Sequence, residues 1–106
     1  MEAVSRGAKR RGGLVVGILP GSDRSDANEF VDIPIPTGFG VARNLLVVRC
    51  GDAVIAIDGA WGTLSEIALA RNIGKSVIGL HSFEMEGVVS AETPEEAVRK
   101  AIEAAK

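Results

Sequence analysis

The chain has 106 residues, of which 46% are apolar, a formal net charge of -2 at pH 7 and a single cysteine. That length suits one domain over residues 1–106 with a real core, not two domains. The mild acidity argues against bulk nucleic-acid binding, the lone Cys50 excludes an intramolecular disulfide, and no apolar run approaches membrane-spanning length.

No signal-peptide core precedes a cleavage site, so the chain reads as cytoplasmic, with neither nucleic acid nor membrane as partner. Basic residues gather at the start (Arg6, Lys9, Arg10, Arg11), where they read as the solvated face of a short helix and its exit.

Glu2–Arg11 has moderate helical propensity and ends at Gly12–Gly13. The continuous apolar run Leu14–Leu19 predicts a buried strand, stopped by Pro20–Gly21 and followed by a polar loop to Asn28. Val31–Pro36 alternates, but its two prolines limit it to a short edge strand or an extended segment. A helix is predicted over Phe39–Arg49 with Val41, Leu45 and Val48 on one face. Ala42, Leu46 and Val47 make its neighbouring faces apolar too, which suggests burial against a second subunit and a homo-oligomer. Near its end, Cys50 is expected to pack as a small apolar residue.

Ala53–Ile57 is the next buried strand, Thr63–Ile73 the next helix with Gly74 after it, and Ser76–Leu80 a further strand. Gly87–Val89 is a possible short strand. In the last helix Thr93 is the N-cap, Pro94 fits N1, Glu96 completes a capping box, and Glu95–Arg99 and Glu96–Lys100 are i,i+4 pairs. Strands alternating with helices predict an α/β fold with a mostly parallel sheet.

The chemistry concentrates in Asp58–Gly59–Ala60–Trp61–Gly62–Thr63–Leu64–Ser65–Glu66, a glycine turn between a strand and a helix. Gly59 could supply a positive φ and Gly62 a close backbone approach, while Thr63 adds a hydroxyl beside the first free helix amides, which favour an anion. Equally, the glycines could serve the turn alone, with Thr63 and Glu66 forming a capping box. Trp61 tips the balance towards a ligand, because a large ring in a tight loop has few packing partners. Glu66 is either a helix cap or a functional carboxylate, a general base or a clamp on a ribose hydroxyl.

Arg43 lies on an otherwise apolar helix and needs a phosphate, a substrate or a carboxylate, since an unpaired buried charge is costly. Gly21 and the Asp23–Asn28 loop follow a buried strand, where ligands of α/β proteins usually sit. Asp58 would repel a phosphate at the same amides unless it serves a sugar hydroxyl or a metal, and Asp23, Asp26 and Asp58 are the carboxylates a Mg²⁺ would need. No metal is assigned, no cofactor is named, and His81 reads as a loop histidine at the sheet's ligand edge.

Together Leu14–Gly21, the Asp23–Asn28 loop, Pro36–Thr37–Gly38, Ala42–Arg43–Asn44, Asp58–Glu66 and Gly74–Lys75 resemble the lysine-decarboxylase-like Rossmann family. The likeness is to its branch near the molybdenum-cofactor carrier proteins; the Lonely-Guy phosphoribohydrolases are other members. The family's Pro-Gly-Gly-x-Gly-Thr-x-x-Glu loop has Asp58 for its proline and Ala60 for its second glycine, and keeps Gly59, Gly62, Thr63 and Glu66. In the hydrolases the equivalents of Arg43 and Glu66 are the catalytic pair, and a lysine stands where this chain has Asn44.

The resemblance implies a Rossmann-like three-layer fold, truncated at its N-terminus, whose strands Leu14–Leu19 and Ala53–Ile57 are not neighbours. It implies binding of a nucleotide or nucleotide-like phosphate ligand by Gly21 and Asp58–Thr63. The alternatives are a phosphoribohydrolase using Arg43 and Glu66, or a truncated, non-catalytic oligomeric protein.

Overall fold

A computed structural model describes residues 1–106. They form two compact units, Met1–Arg43 and Asn44–Lys106, and five strands shared between a two-stranded and a three-stranded sheet.

The first unit opens with helix α1, Glu2–Arg10, followed by strand β1, Val16–Leu19. Strand β2, Ile33–Pro36, pairs with β1 in parallel, Val16 opposite Ile33 and Leu19 opposite Pro36. The Ile33 and Thr37 amides donate to Val15 and Leu19, which puts Pro34 and Pro36 out of phase with that ladder, on the open edge where a missing N–H is harmless. Asp32 ties the unit together: its carboxylate accepts from Lys9 Nζ at 2.8 Å and from the Val15 amide at 2.8 Å. The basic cluster therefore contributes a structural ion pair as well as a wet face.

In the second unit strands β3 (Val54–Ile57), β4 (Val77–Leu80) and β5 (Val88–Ala91) form one parallel sheet in that order. Helix α3, Trp61–Asn72, links β3 to β4, and helix α4, Pro94–Ala105, follows β5. Helix α2, Arg43–Cys50, precedes β3 and begins at the boundary between the units. One face of the sheet buries Val54, Ala56 and Val77 with Val48 of α2 and Ile67 and Ala70 of α3; the other buries Ile78, Leu80 and Ala91 with Ala97 of α4. Helices on both faces of a parallel sheet make this the expected α/β Rossmann-like fold. Each fully buried side chain such as Ile67 contributes about 1.5–3 kcal/mol of hydrophobic stabilisation.

The strands at Leu14–Leu19 and Ala53–Ile57 fall in different sheets, as expected. Burial on both strand faces is seen only for β4, the central strand. In β3, Ile55 and Ile57 stay partly open, because an edge strand receives helix cover from one side only.

The helix predicted over Phe39–Arg49 is instead a 3₁₀ turn, Gly40–Ala42, followed by α2. Gly40 in the left-handed region shifts the phase, so α2 buries Asn44 and Val48 and leaves Phe39, Val41 and Leu45 exposed. Cys50, expected to be packed, is exposed at the helix end. No helix is long and apolar enough to cross a membrane.

Candidate functional site

The predicted ligand loop lies at the carboxyl end of β3, as expected of an open α/β sheet. Its geometry differs from the sequence expectation. Helix α3 starts at Trp61, two residues early, because extended Ala60 acts as N-cap and its carbonyl accepts from the Leu64 amide. Thr63 is thus the third helical residue and not the cap, and the Thr63–Glu66 capping box does not form.

The N-cap residue Ala60 makes no side-chain hydrogen bond to α3. The amides of the first turn lie at the positive end of the helix dipole. Ser65 Oγ donates to the Gly62 carbonyl at 2.8 Å and accepts from Asn44 Nδ2 at 2.9 Å. Asn44, where the hydrolases have lysine, therefore braces α2 against the start of α3.

Gly59, expected to take the positive φ, does not; Asp58 does, at φ 61°. Gly59 has a different use: a Cβ there would touch the Phe83 ring at 3.4 Å, so the small residue lets that ring lie against the loop. Phe83 was not singled out by sequence, since nothing local links it to residue 59. Gly62 has no protein atom within 4 Å of where a Cβ would be. A glycine in the first turn weakens a helix, and here no protein contact requires it. Trp61 is 85% exposed and holds no packing position.

Asp58 and His81 follow Ile57 and Leu80, which are register partners, and both are left-handed, at φ 61° and 50°. Two adjacent non-glycine residues in that region are the kind of local strain found at functional edges. Here the Asp58 amide donates to Leu80, whose strand leads straight into His81. His81 also lines a cavity of about 200 Å³ together with Ser82, Phe83, Glu84 and Glu92. Glu66 is half-buried on α3.

In the first unit, Arg43 Nη1 donates to the Ile18 carbonyl at 2.9 Å, while its Nε is buried without a hydrogen-bond partner. The Gly21 carbonyl accepts from the Gly38 amide, and Thr37 Oγ1 donates to Leu19 at 2.6 Å. The segment Thr37–Arg43 is thus fastened to the carboxyl end of β1. Asp23 caps the short turn Arg24–Asp26 by accepting from the Ser25 amide, and that bond holds its carboxyl below the usual range. No group of three or more His, Cys, Asp or Glu is gathered to hold a metal.

A parallel sheet with helices on both faces and a glycine loop at the carboxyl edge of β3 defines a Rossmann-like α/β protein. The chain belongs to the SLOG cluster4 family, which it matches over residues 1–106. An uncharacterised protein of Archaeoglobus fulgidus is 48% identical over 103 residues, covering 96% of this chain and 68% of its own.

Two solved structures are similar. The molybdenum cofactor binding protein of Rippkaea orientalis superposes with a TM-score of 0.89 at 38% identity, over 97% of this chain and 69% of its own. The molybdenum cofactor carrier protein of Chlamydomonas reinhardtii gives 0.82 at 30% identity, over 94% and 67%.

Proposed function

We propose that this chain binds a nucleotide-like phosphate ligand of the molybdenum-cofactor kind, a phosphate on a fused-ring heterocycle, at the Asp58–Thr63 loop. The observation that carries this reading is the start of α3. There a helix N-terminus whose N-cap side chain makes no hydrogen bond, a glycine with open space around it and an almost fully exposed tryptophan occupy consecutive positions. Amides at a helix start suit phosphate, the bare Gly62 backbone admits it closely, and the Trp61 ring offers a stacking face. The similar structures named for molybdenum-cofactor binding and carriage support the same class of ligand.

Glu66 enters this proposal as hydroxyl acceptor. Gly21 and Arg43 are proposed as ligand-contacting residues of the first unit, a turn residue and a charge partner. Turnover is not part of the proposal. A homo-oligomer through Phe39–Arg49 remains proposed on the exposure of Phe39, Val41 and Leu45.

Trp61 is the chain's only tryptophan, so its fluorescence reports directly on the loop. Titration with released molybdenum cofactor, with AMP and with inorganic phosphate should give a saturable quench for the first and a weaker or absent one for phosphate alone. Gly62→Val should weaken binding by closing the space, and Arg43→Ala by about 1.5–3 kcal/mol through loss of a charge-assisted contact. No saturable change with any of the three would discard the reading. Release of free adenine from AMP, abolished by Glu66→Gln, would replace carriage with phosphoribohydrolase chemistry.

A further inference from the structure

The loop after β4 folds back over its own strand and forms a polar cavity beside the α3 loop. His81 makes the reversal, with φ at 50°. A Cβ on Gly79 would stand 3.8 Å from Ser82 Cβ and from the Phe83 carbonyl oxygen, so the returning chain lies over that glycine. Ser90 of β5 is the register partner of Gly79. The cavity of about 200 Å³ is lined by the returning residues His81, Ser82, Phe83 and Glu84, and by Ser90 and Glu92 at the end of β5. It is built wholly from the second unit.

Its polar lining is unengaged. The side chains of His81, Ser82, Glu84, Ser90 and Glu92 make no hydrogen bond or ion pair with the rest of the chain. His81, Glu84, Ser90 and Glu92 are exposed, so water serves them. Ser82 Oγ is different: it is buried and has no hydrogen-bond partner. Polar atoms in that state are rare in folded proteins, and each calls for a cause.

The charge of the lining is negative. Glu84 and Glu92 only accept hydrogen bonds when ionised, and no lysine or arginine lines the cavity. Lys100 reaches the Ser90 carbonyl at 2.8 Å but lies 3.6 Å from Glu96, with which it pairs. An occupant must therefore bring N–H donors. Of the two carboxylates Glu92 has the firmer base, because its amide donates to Glu96 Oε1 at 2.7 Å at the start of α4. Volume sets the size. A cavity of about 200 Å³ falls below the range of about 300–1,000 Å³ that takes a whole small molecule, so it holds one ring end of a ligand. Phe83 both lines the cavity and lies against Gly59, which makes the cavity a neighbour of the loop leading into α3.

We infer that this cavity reads the edge of the ligand's heterocycle and selects a ring with an amino group beside a ring N–H, the 2-amino-4-oxopyrimidine edge that guanine carries. Two parallel donors meet a carboxylate as a guanidinium does. Glu92 is the acceptor, Ser82 Oγ gains a partner in the same ring, and Phe83 supplies the apolar wall. Adenine presents an acceptor nitrogen where guanine has its ring N–H, and so leaves Glu92 unpaired. The inference rests on the phosphate ligand proposed for the α3 loop and adds the choice of ring.

The test follows backbone amide NMR shifts of the full chain during titration with GMP, AMP and inorganic phosphate. GMP should move the amides of Ser82 and Glu92 as well as those of Trp61–Thr63, whereas AMP and phosphate should move only the latter. GMP should bind about tenfold or more tightly than AMP, the effect of one charge-assisted hydrogen bond. Glu92→Gln should bring the two dissociation constants to within about threefold of each other. Ser82→Ala should weaken GMP binding yet not lower the urea midpoint of the ligand-free chain, since its hydroxyl has no bond to lose. Equal affinities for GMP and AMP, or a GMP complex in which Ser82 and Glu92 stay unmoved, would overturn the inference and leave the α3 loop reading standing. A response at the cavity with Trp61–Thr63 silent would keep the inference and remove the loop reading. Silence at both would overturn both.

Discussion

Thr93 Oγ1 accepts from the Glu96 amide at 3.1 Å, while the Glu96 carboxylate reaches back to the Glu92 amide at 2.7 Å, one residue beyond the usual capping-box partner. Thr93→Ala should therefore lower unfolding stability by about 1 kcal/mol, read from the urea midpoint, without changing the fold. Arg99 sits 3.9 Å from Glu96 and 3.8 Å from Glu103 instead of pairing with Glu95, and such exposed pairs contribute little.

Besides Asp23, two further carboxyls are held below their ordinary values: Asp32, first by the Lys9 hydrogen bond and then by the Val15 amide, and Glu96, first by the Glu92 amide and then by Lys100. A depressed folded value means that the unfolded chain takes up protons first as pH falls. Their stabilisation is thus complete above the ordinary values of 3.8 and 4.5 and is lost on acidification through the lower folded values. The urea midpoint should be flat towards neutrality and fall below that range. Asp32→Ala should lower it at neutral pH and flatten part of the acid limb.

At the scale of elements, the sheet of the second unit depends on a close approach between β4 and β5. A Cβ on Gly79 would lie 2.9 Å from Val88 Cγ1, too near for a packed branched side chain to yield freely. Gly79→Ala should destabilise by about 1–3 kcal/mol, measured by thermal or urea unfolding. The start of α3 behaves in the opposite sense. Trp61 is exposed and buries little, so Trp61→Ala should leave stability within about 0.5 kcal/mol of the parent. The same change should weaken a stacked heterocycle by about 1–3 kcal/mol. A residue whose loss is silent in unfolding and costly in binding is what separates a ligand contact from a packing contact.

For the whole molecule, a ligand that binds only the folded chain must raise its apparent stability by mass action. At a hundred times the dissociation constant the gain is about 2.7 kcal/mol, visible as a higher melting temperature. Released molybdenum cofactor should produce that shift in the parent chain, and Gly62→Val should reduce it. An equal shift in both would detach the ligand from the α3 loop.

Sequence by itself determined the α/β alternation, the parallel strands, the position of the glycine loop and nearly every detail of α4, because each rests on local chemistry. Apolar runs between turns make strands, and Thr-Pro-x-Glu at a helix start caps it whatever surrounds it. The tertiary structure decided which strand is central and which are edges, and therefore which isoleucines stay open. It placed the left-handed residue at Asp58 instead of Gly59 and the helix start at Trp61. It also broke the Phe39–Arg49 helix at Gly40, turning Asn44 inward towards Ser65. Local pattern could not foresee these outcomes. The Phe83 ring that Gly59 accommodates, the Leu80 carbonyl that the Asp58 amide meets and the Ser65 hydroxyl that receives Asn44 all come from residues distant in sequence.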